Sequence, residues 1–577
     1  MKKNNVLENK SLNKTNIKTL FKDSRVITGI ILFVFVTVMF AISVNMRSEY
    51  KDYVSTEHHH HLTATSVAFT NNWLDDGIFH DHFAMMANPA SVEFPTLKDR
   101  SFYDSYPSGC ILPLYALAKI TGTKEIDFGF VQRWDLFNQY AITLLLAFIV
   151  YIIFIKVKKK PYVGAAAAII PTVINLFMPA PFYFFHSVYF ADQAVLLPFV
   201  LTVFIELLFM CTDNKKVHSV LSIIEVIVIF IGTLTDYLFL CVLLVVYAKK
   251  LIMKEIPVSS FVSWLLGSLK FAGGAIVAIG LFVLQIAING PVRIFDMFLF
   301  RTGINDTSGW TEHFGRVFWK DYIIKGYGTY ADIILKAALI IVAVMIVLYV
   351  VLNITKKYKN EKLPLILATA AIIIIPCFMQ VYLLKNHSAI HDFSSLKFSI
   401  VMSVVPYVLI PLAIGICVEQ FISLKKKCEF KTYITEILVV VFVLIACVST
   451  YSTHSKNAKS YFPEATPEVV TVGNFLKANT DYNDVVFSDN YENYDTNDYP
   501  AKVALAKKRV YKIDSVNQIY NKVKDITEDY TINIFSYGTE NHSSELQNLI
   551  DKAGDVIRED DLVIYKIDKD AFLSAVK

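Results

Sequence analysis

Residues 138–160 read NQYAITLLLAFIVYIIFIKVKKK. From Ala141 to Ile155 no residue is charged, and the stretch then ends on Lys156, Lys158, Lys159 and Lys160. Its apolar residues run consecutively instead of alternating, so it offers no polar face to turn toward water in a sheet. A helix of about 20 residues crosses the hydrocarbon core of a bilayer and pairs its backbone polar groups internally. A lysine cluster directly after such a run marks a cytoplasmic end. This stretch therefore predicts a transmembrane helix together with its direction.

Working outward, about eleven runs meet the same requirement, at about 25–46, 138–156, 162–180, 192–212, 217–235, 237–253, 263–288, 331–354, 363–384, 397–421 and 433–451. The hairpin around Thr235 and Asp236 leaves almost no loop between two of them. Basic residues recur at alternate connections. Lys2, Lys3, Lys10, Lys14, Lys18, Lys22 and Arg25 precede the first run, and Lys215 with Lys216 follow the 192–212 run. Lys249, Lys250 and Lys254 come next, then Lys356, Lys357, Lys359 and Lys362, then Lys425, Lys426, Lys427 and Lys431. With eleven spans all of these fall on one side, which puts the N-terminus in the cytoplasm and the C-terminus outside.

The composition agrees with a lipid environment. Residues are 54% hydrophobic and 18% charged, with a mean hydropathy of +0.46; soluble domains carry about a quarter charged residues. The net charge of +4 is spent on the lysine clusters, so no nucleic-acid partner is expected. The seven cysteines form no disulfide framework, and none lies in the C-terminal region. The first apolar run lacks a small-residue cleavage site and reads as a retained helix. The bias toward Lys, Asn, Ile and Tyr suits a low-GC bacterium, so a multi-pass protein of a bacterial plasma membrane is expected, surrounded by membrane lipids.

Three regions follow: a basic cytoplasmic tail (1–24), a polytopic α-helical membrane domain (25–452) and a small extracytoplasmic α/β domain (453–577). In the last, helices are predicted near 468–479 and 543–553. Strands are predicted at 484–488, 510–513, 532–536 and 562–567.

Residues able to do chemistry collect in the segments assigned to the outside. The loop 47–137 holds Glu57, His58, His59, His60 and His61, then a helical stretch 62–74 with Leu62, Phe69 and Trp73 on one face, which suits an interfacial helix. The histidines, internal and ahead of a structured run, are not placed like a purification tag. At helical spacing Glu57 and His58 both face His61, so a divalent metal ion or a proton relay could use the cluster; a solvated polar loop is the plainer reading. Asp75-Asp76-Gly77 reads first as a helix end and turn. Arg100, then Ser105-Tyr106-Pro107-Ser108-Gly109, precede a second interfacial run, 110–120. Asp192 sits at the outer entrance of the fourth span, either a helix cap or a functional carboxylate. His387 and His391 share a helical face between spans nine and ten. Lys397, on the outer side against the positive-inside bias, calls for an anionic partner such as a ligand phosphate. Arg293, Arg301 and Arg316 add cations in the loop 289–330.

In this order of features the chain resembles the GT-C class of integral-membrane glycosyltransferases, which take sugars from polyprenyl-phosphate or related lipid carriers. It is similar in particular to bacterial relatives of the protein O-mannosyltransferases and the aminoarabinose transferase of lipid A. There an Asp-Glu pair follows the first span and leads into an interfacial helix, the place taken here by Glu57-His58 and 62–74. The Pro-containing motif before the second interfacial helix is matched by 105–120, the following Arg by Arg133 and the later Asp by Asp192. The late His-Asp-aromatic stretch is matched by His391-Asp392-Phe393. The departure from Asp-Glu leaves the base open among Glu57, a histidine and Asp75 or Asp76.

The resemblance implies a glycosyltransferase that moves a sugar from a lipid-linked donor to an extracytoplasmic acceptor. It gives Glu57 as first choice for the base, with His58, His59 and Asp192 orienting it or holding a metal. Lys397 and an arginine of the 289–330 loop such as Arg301 would bind the phosphate, among donor contacts that also take in Arg100, Tyr106, His387 and His391. The competing readings are a flippase or other transporter, and a polysaccharide polymerase or ligase. A transporter is expected to carry charges near the midplane, whereas here the polar residues gather at one boundary.

Overall fold

A computed structural model of the chain describes residues 23–50, 57–289, 294–307, 309–354, 362–424, 433–462, 467–489, 506–538 and 542–576. The basic N-terminal tail, Arg293, Lys356, Lys357, Lys359 and the Lys425–431 cluster lie outside the described residues, as do the side chains of Glu57, His58 and His60.

The chain is a polytopic helical membrane protein with a C-terminal α/β domain. Its membrane helices are α1 (Ser24–Met46), α4 (Phe128–Lys158), α5 (Pro161–Phe177) with α6 (Pro179–Ser187), α7 (Ala191–Cys211), α8 (Lys215–Thr233) and α9 (Leu238–Ile252). They continue with α10 (Phe261–Asn289), α13 (Ala331–Ile354), α14 (Lys362–Leu383), α16 (Asp392–Glu419) and α17 (Ile434–Asn457). Shorter helices α2 (Glu57–Asn72), α3 (Leu112–Thr121), α11 (Ile294–Thr302), α12 (Trp310–Arg316) and α15 (Lys385–Ile390) lie between them.

Every predicted run is helical, but the runs are not equivalent. Among the described residues nine helices are long and apolar enough to cross a membrane, and the bent pair α5–α6 makes a tenth. The predicted span 162–180 is broken: Pro179 opens a new helix at 56° to the first, because proline cannot donate to the preceding turn. The predicted span 237–253 is a helix of 15 residues, about 22 Å long and shorter than a hydrocarbon core of about 30 Å.

Burial ranks the helices. The α16 window is 83% buried and forms the centre, whereas that of α13 is 17% buried and faces outward. Ile31, Val34 and Val38 of α1 are likewise exposed, a lipid-facing stripe. Among the described residues, the lysines that follow α4 meet the ends of α7, α16 and α17 at one end of the bundle. Lys156 donates to Cys211 O at 3.1 Å, Lys158 pairs with Glu419 at 2.5 Å, and Lys160 pairs with Glu436.

Helix α2 forms where predicted, but it is covered on its polar side too. Thr63, Ser66, Thr70 and Asn72 are buried along with Leu62, Phe69 and Trp73. Ser66 bonds Tyr189 O, and Asn72 bonds Met86 O. The helix is therefore enclosed by protein instead of floating half-exposed at an interface. Helix α3 keeps the predicted one-sided character: Leu114 and Ala118 are buried and Ile120 is exposed.

After α17 come α18 (Pro467–Asn479), α19 (Val516–Val523), α20 (Ser544–Ile550) and α21 (Lys569–Val576). They pack on strands β1 (Asp484–Ser488), β2 (Val510–Lys512), β3 (Thr531–Tyr537), β4 (Asp555–Glu559) and β5 (Leu562–Asp568). The sheet order is β2-β1-β3-β5-β4, with β2, β1 and β3 parallel and β5 and β4 antiparallel to their neighbours. Alternation on β1 sends Val485 and Phe487 toward α19–α21 and Val486 toward α18, so both faces are covered.

Candidate functional site

At the end of the bundle opposite the basic connections, four segments bring polar side chains into one buried cluster. The motif 105–109 supplies Tyr106, the start of α7 supplies Asp192, the α8–α9 hairpin supplies Asp236, and the segment 385–397 supplies His387 and Lys397. Arg301, from the end of α11, reaches the same place. Their side chains are all at most about a tenth exposed.

Local structure explains how they meet. Gly109 donates its N–H to Leu234 O at 2.8 Å, and a Cβ at this position would stand 2.3 Å from that oxygen. Only glycine allows the motif to lie directly on the hairpin, which fixes Asp236 beside it. Asp236 then caps α9, accepting from Leu238 N at 2.6 Å, and accepts from Gln380 at 2.9 Å. The segment 385–397 is held by aromatic hydroxyls: Tyr322 donates to Ala389 O at 2.9 Å and Tyr327 to Ser395 O at 3.0 Å. Asn386 adds a bond to Phe300 O at 2.9 Å, next to Arg301.

The electrostatics are those of an incomplete network. Lys397 Nζ lies 3.8 Å from Asp192 Oδ1, and His387 Nε2 lies 3.6 Å from Asp192 Oδ2, both beyond hydrogen-bond length. Arg301 donates to Ser105 O at 3.0 Å and stacks 4.2 Å above the Tyr106 ring. Lys397 Nζ, Asp192 Oδ1, Asp236 Oδ2, Gln380 Oε1 and Tyr106 OH are buried and make no hydrogen bond within the described protein. Buried polar atoms in native proteins are paired in the great majority of cases, so a concentration of unsatisfied ones marks a place for a polar ligand or ordered water. Burial, with Asp192 nearby, pushes the Asp236 carboxyl up to about 7. Burial also holds His387 below the ordinary histidine value. With Asp236 protonated and His387 neutral, Lys397 and Arg301 face a single carboxylate, and the cluster carries a net positive charge.

A second group adjoins the first through the same segment. The His387 and His391 rings are 4.5 Å apart, and the next residue, Asp392, pairs with His59 Nε2 at 2.7 Å. His59 Nδ1 meets the Tyr183 hydroxyl at 2.9 Å, on the helix α6 that the proline break creates. His59 and Asp392 are partly exposed, unlike the first cluster.

Of the residues singled out in the sequence, Tyr106, Asp192, Arg301, His387 and Lys397 converge, and His59 and His391 lie beside them. Arg100 is elsewhere: it is committed to Asp76 at 2.6 Å and to Asn88 O at 2.7 Å, clipping the first loop. Asp75 is 3.5 Å from Lys507 of the C-terminal domain, and Arg133 is exposed. Asp236 was legible only as a tight hairpin; an ionisable residue in a turn too short to reach water was the available signal. Among the described residues no three His, Cys, Asp or Glu side chains stand together as a metal site. Asp192 keeps company with His387 and Lys397, while His59 partners Asp392 and Tyr183.

No protein-family model matches the chain, and no curated protein matches its sequence. Solved structures do resemble it. The oligosaccharyltransferase of Archaeoglobus fulgidus, crystallised with zinc and sulfate, aligns over 93% of this chain and 76% of its own, with 10% identity and a TM-score of 0.48. ArnT from Cupriavidus metallidurans bound to undecaprenyl phosphate aligns over 93% and 97%, with 8% identity and a TM-score of 0.48. Its apo state covers the same shares with 11% identity and a TM-score of 0.45. At these identities and scores the likeness assigns no activity to this chain.

Proposed function

We propose that this chain is a membrane glycosyltransferase that moves a sugar from a polyprenyl-phosphate-type lipid to an acceptor at the outer membrane face. The observation that carries the proposal is the buried Lys397 ammonium, which makes no hydrogen bond within the described protein and lies in the same cluster as the Arg301 guanidinium. Two fixed cations at a bundle end form a site for an anion whose remainder is lipid-soluble.

In the reaction, an acceptor hydroxyl or amine attacks the anomeric carbon and the bond from that carbon to the phosphate oxygen breaks. The departing lipid phosphate gains one negative charge, which Lys397 and Arg301 offset without reorganising. The acceptor proton needs a base. The His59–Asp392 pair supports that role: with Asp392 accepting from Nε2–H, Nδ1 accepts from the Tyr183 hydroxyl, which can take the acceptor proton as it passes its own to Nδ1. Glu57, at the start of the same helix as His59, is the rival base. The lysine-rich end lies in the cytoplasm on this reading, and the cluster faces outward.

Transfer from a defined lipid-phosphate sugar in liposomes tests both roles. Lys397→Ala and Asp392→Asn are each expected to reduce turnover at least about 100-fold. Unchanged transfer in both would refute the assignment. Full activity in Glu57→Gln would leave His59 as the base, and its loss with His59→Asn still active would give the role to Glu57.

The convergence of Tyr106, Asp192, Asp236, Arg301, His387 and Lys397 at the outward end favours chemistry there over translocation.

A further inference from the structure

Asp192 and Glu206 lie on the same helix, fourteen residues apart, about 21 Å along its axis. Around Glu206, at the lysine-rich end, a second set of charges is buried. Lys249 and Lys250 each pair with Glu206 at 2.7 Å; Lys249 also pairs with Glu255 at 2.5 Å, and Lys250 with Glu225 at 3.0 Å. Glu206 is fully buried, and Glu225, Lys249 and Lys250 are each less than a tenth exposed. Burying ions costs several kcal/mol each unless the charges are balanced, and here two buried carboxylates meet two buried ammonium groups. The third carboxylate, Glu255, has a side chain 30% exposed and stands at the edge of the network.

Beside the network opens a cavity of about 460 Å³, lined by His218, Ser219, Ser222, Glu225, Lys250, Glu255 and Lys270 among others. Its inner limit is set where α8 and α10 touch: a Cβ on Gly274 would stand 2.4 Å from Val226 O, so the helices close there and splay toward Ser222 and Lys270. Lys250 lies 4.6 Å above the Phe209 ring and 5.3 Å from that of Phe271, which holds it against the wall. Lys270 is exposed and makes no ion pair among the described residues. His218 donates through one ring nitrogen to Thr212 O at 2.6 Å. The flanks are apolar and uncovered: Val220, Ile223 and Ile224 on α8, and Leu266 and Leu269 on α10, are all substantially exposed.

A polar cavity with the partly exposed Glu255 carboxylate and the exposed Lys270 ammonium at its rim, and greasy flanks, fits a zwitterionic lipid. We infer that this cavity binds the head group of an amine-bearing phospholipid, its ammonium against Glu225 and Glu255 and its phosphate against Lys270 and Ser222. The acyl chains then run along the exposed faces of α8 and α10. The site is distinct from the Lys397 cluster, and the inference does not rest on the proposed transferase activity.

The test uses the full chain in nanodiscs containing equal amounts of a photoactivatable ethanolamine phospholipid and a photoactivatable glycerol phospholipid. The expected result is at least about fivefold preferential capture of the ethanolamine lipid, with crosslinks mapping to α8 and α10. Glu225→Gln should abolish the preference, and Ser222→Trp, which fills the cavity, should abolish capture at this place. Lys270→Ala should weaken capture of both lipids. If Glu225→Gln does not fold, as judged by its melting curve, the Ser222→Trp and Lys270→Ala results decide. Equal capture of the two lipids, preference unaffected by these changes, or crosslinks elsewhere would overturn the inference.

Discussion

Lys397 and Asp236 carry opposite tasks within one cluster. Lys397 supplies a cation that the protein leaves without a hydrogen bond, and Asp236 sets how much of that positive charge is cancelled. The charged groups facing Asp236 are Asp192, Lys397 and Arg301, with the thiols of Cys110 and Cys241 close by. Because Asp236 is raised to about 7, lowering the pH from 8 to 6 protonates it and makes the cluster more positive. Affinity for a lipid phosphate is therefore expected to rise as pH falls through this window, and Asp236→Asn should flatten the dependence. Binding measured across the range checks this; an unchanged slope in Asp236→Asn would assign it to another group. At His59 the expectation concerns rate: if the pair acts on the acceptor proton as proposed, Asp392→Asn should lower kcat with little change in the donor KM.

At the scale of elements, the site depends on backbone contacts that place its side chains. Gly109→Ala forces the motif 105–109 off the α8–α9 hairpin, since the added Cβ meets Leu234 O at 2.3 Å. The expected cost is about 2 kcal/mol in stability, visible as a lower melting temperature, together with weakened donor binding through displaced Asp236. Tyr327→Phe removes the hydroxyl that holds Ser395 O, at about 1 kcal/mol. It should speed hydrogen exchange in 385–396 without disturbing exchange in α4; uniform protection would contradict the role given to Tyr327.

This scale also separates what the sequence disclosed from what it hid. Apolar run length is a one-dimensional property, so all the membrane helices were legible, as were the strands at 484–488 and 532–536. The break at Pro179 could be anticipated only in part, because a proline in an apolar run permits a kink without requiring one. The meeting of Asp236 with Lys397 depends on hairpin packing across many intervening residues, and no local pattern encodes it. Arg100 illustrates the converse: an arginine in a loop assigned to the outer face was expected among the donor contacts, yet its neighbours Asp76 and Asn88 come from the same loop and occupy it.

At the scale of the molecule, the C-terminal domain is docked on the first loop by unequal contacts. Lys507 bridges Asp75 at 3.5 Å and Glu125 at 3.2 Å, and Lys477 also meets Glu125. Val92 of the loop enters the domain's apolar cluster and bonds Tyr482 O through its backbone. Partly exposed pairs are worth about 0–1 kcal/mol each, whereas an uncompensated charge in an apolar cluster costs several. Glu125→Gln should thus leave the protease resistance of the domain nearly unchanged, and Val92→Asp should release it. Limited proteolysis distinguishes the two; equal sensitivity would mean that the charged contacts dominate.

The bundle that carries this domain has the Lys397–Arg301 cluster at one end and the Glu206 charge network at the other, about 21 Å apart along α7. The central claim is that the first of these ends binds a lipid phosphate. Native mass spectrometry of the full chain with added polyprenyl phosphate tests it most directly. One bound lipid per chain is expected, with affinity reduced at least about tenfold in Lys397→Ala; equal binding by both proteins, or none by either, would contradict it.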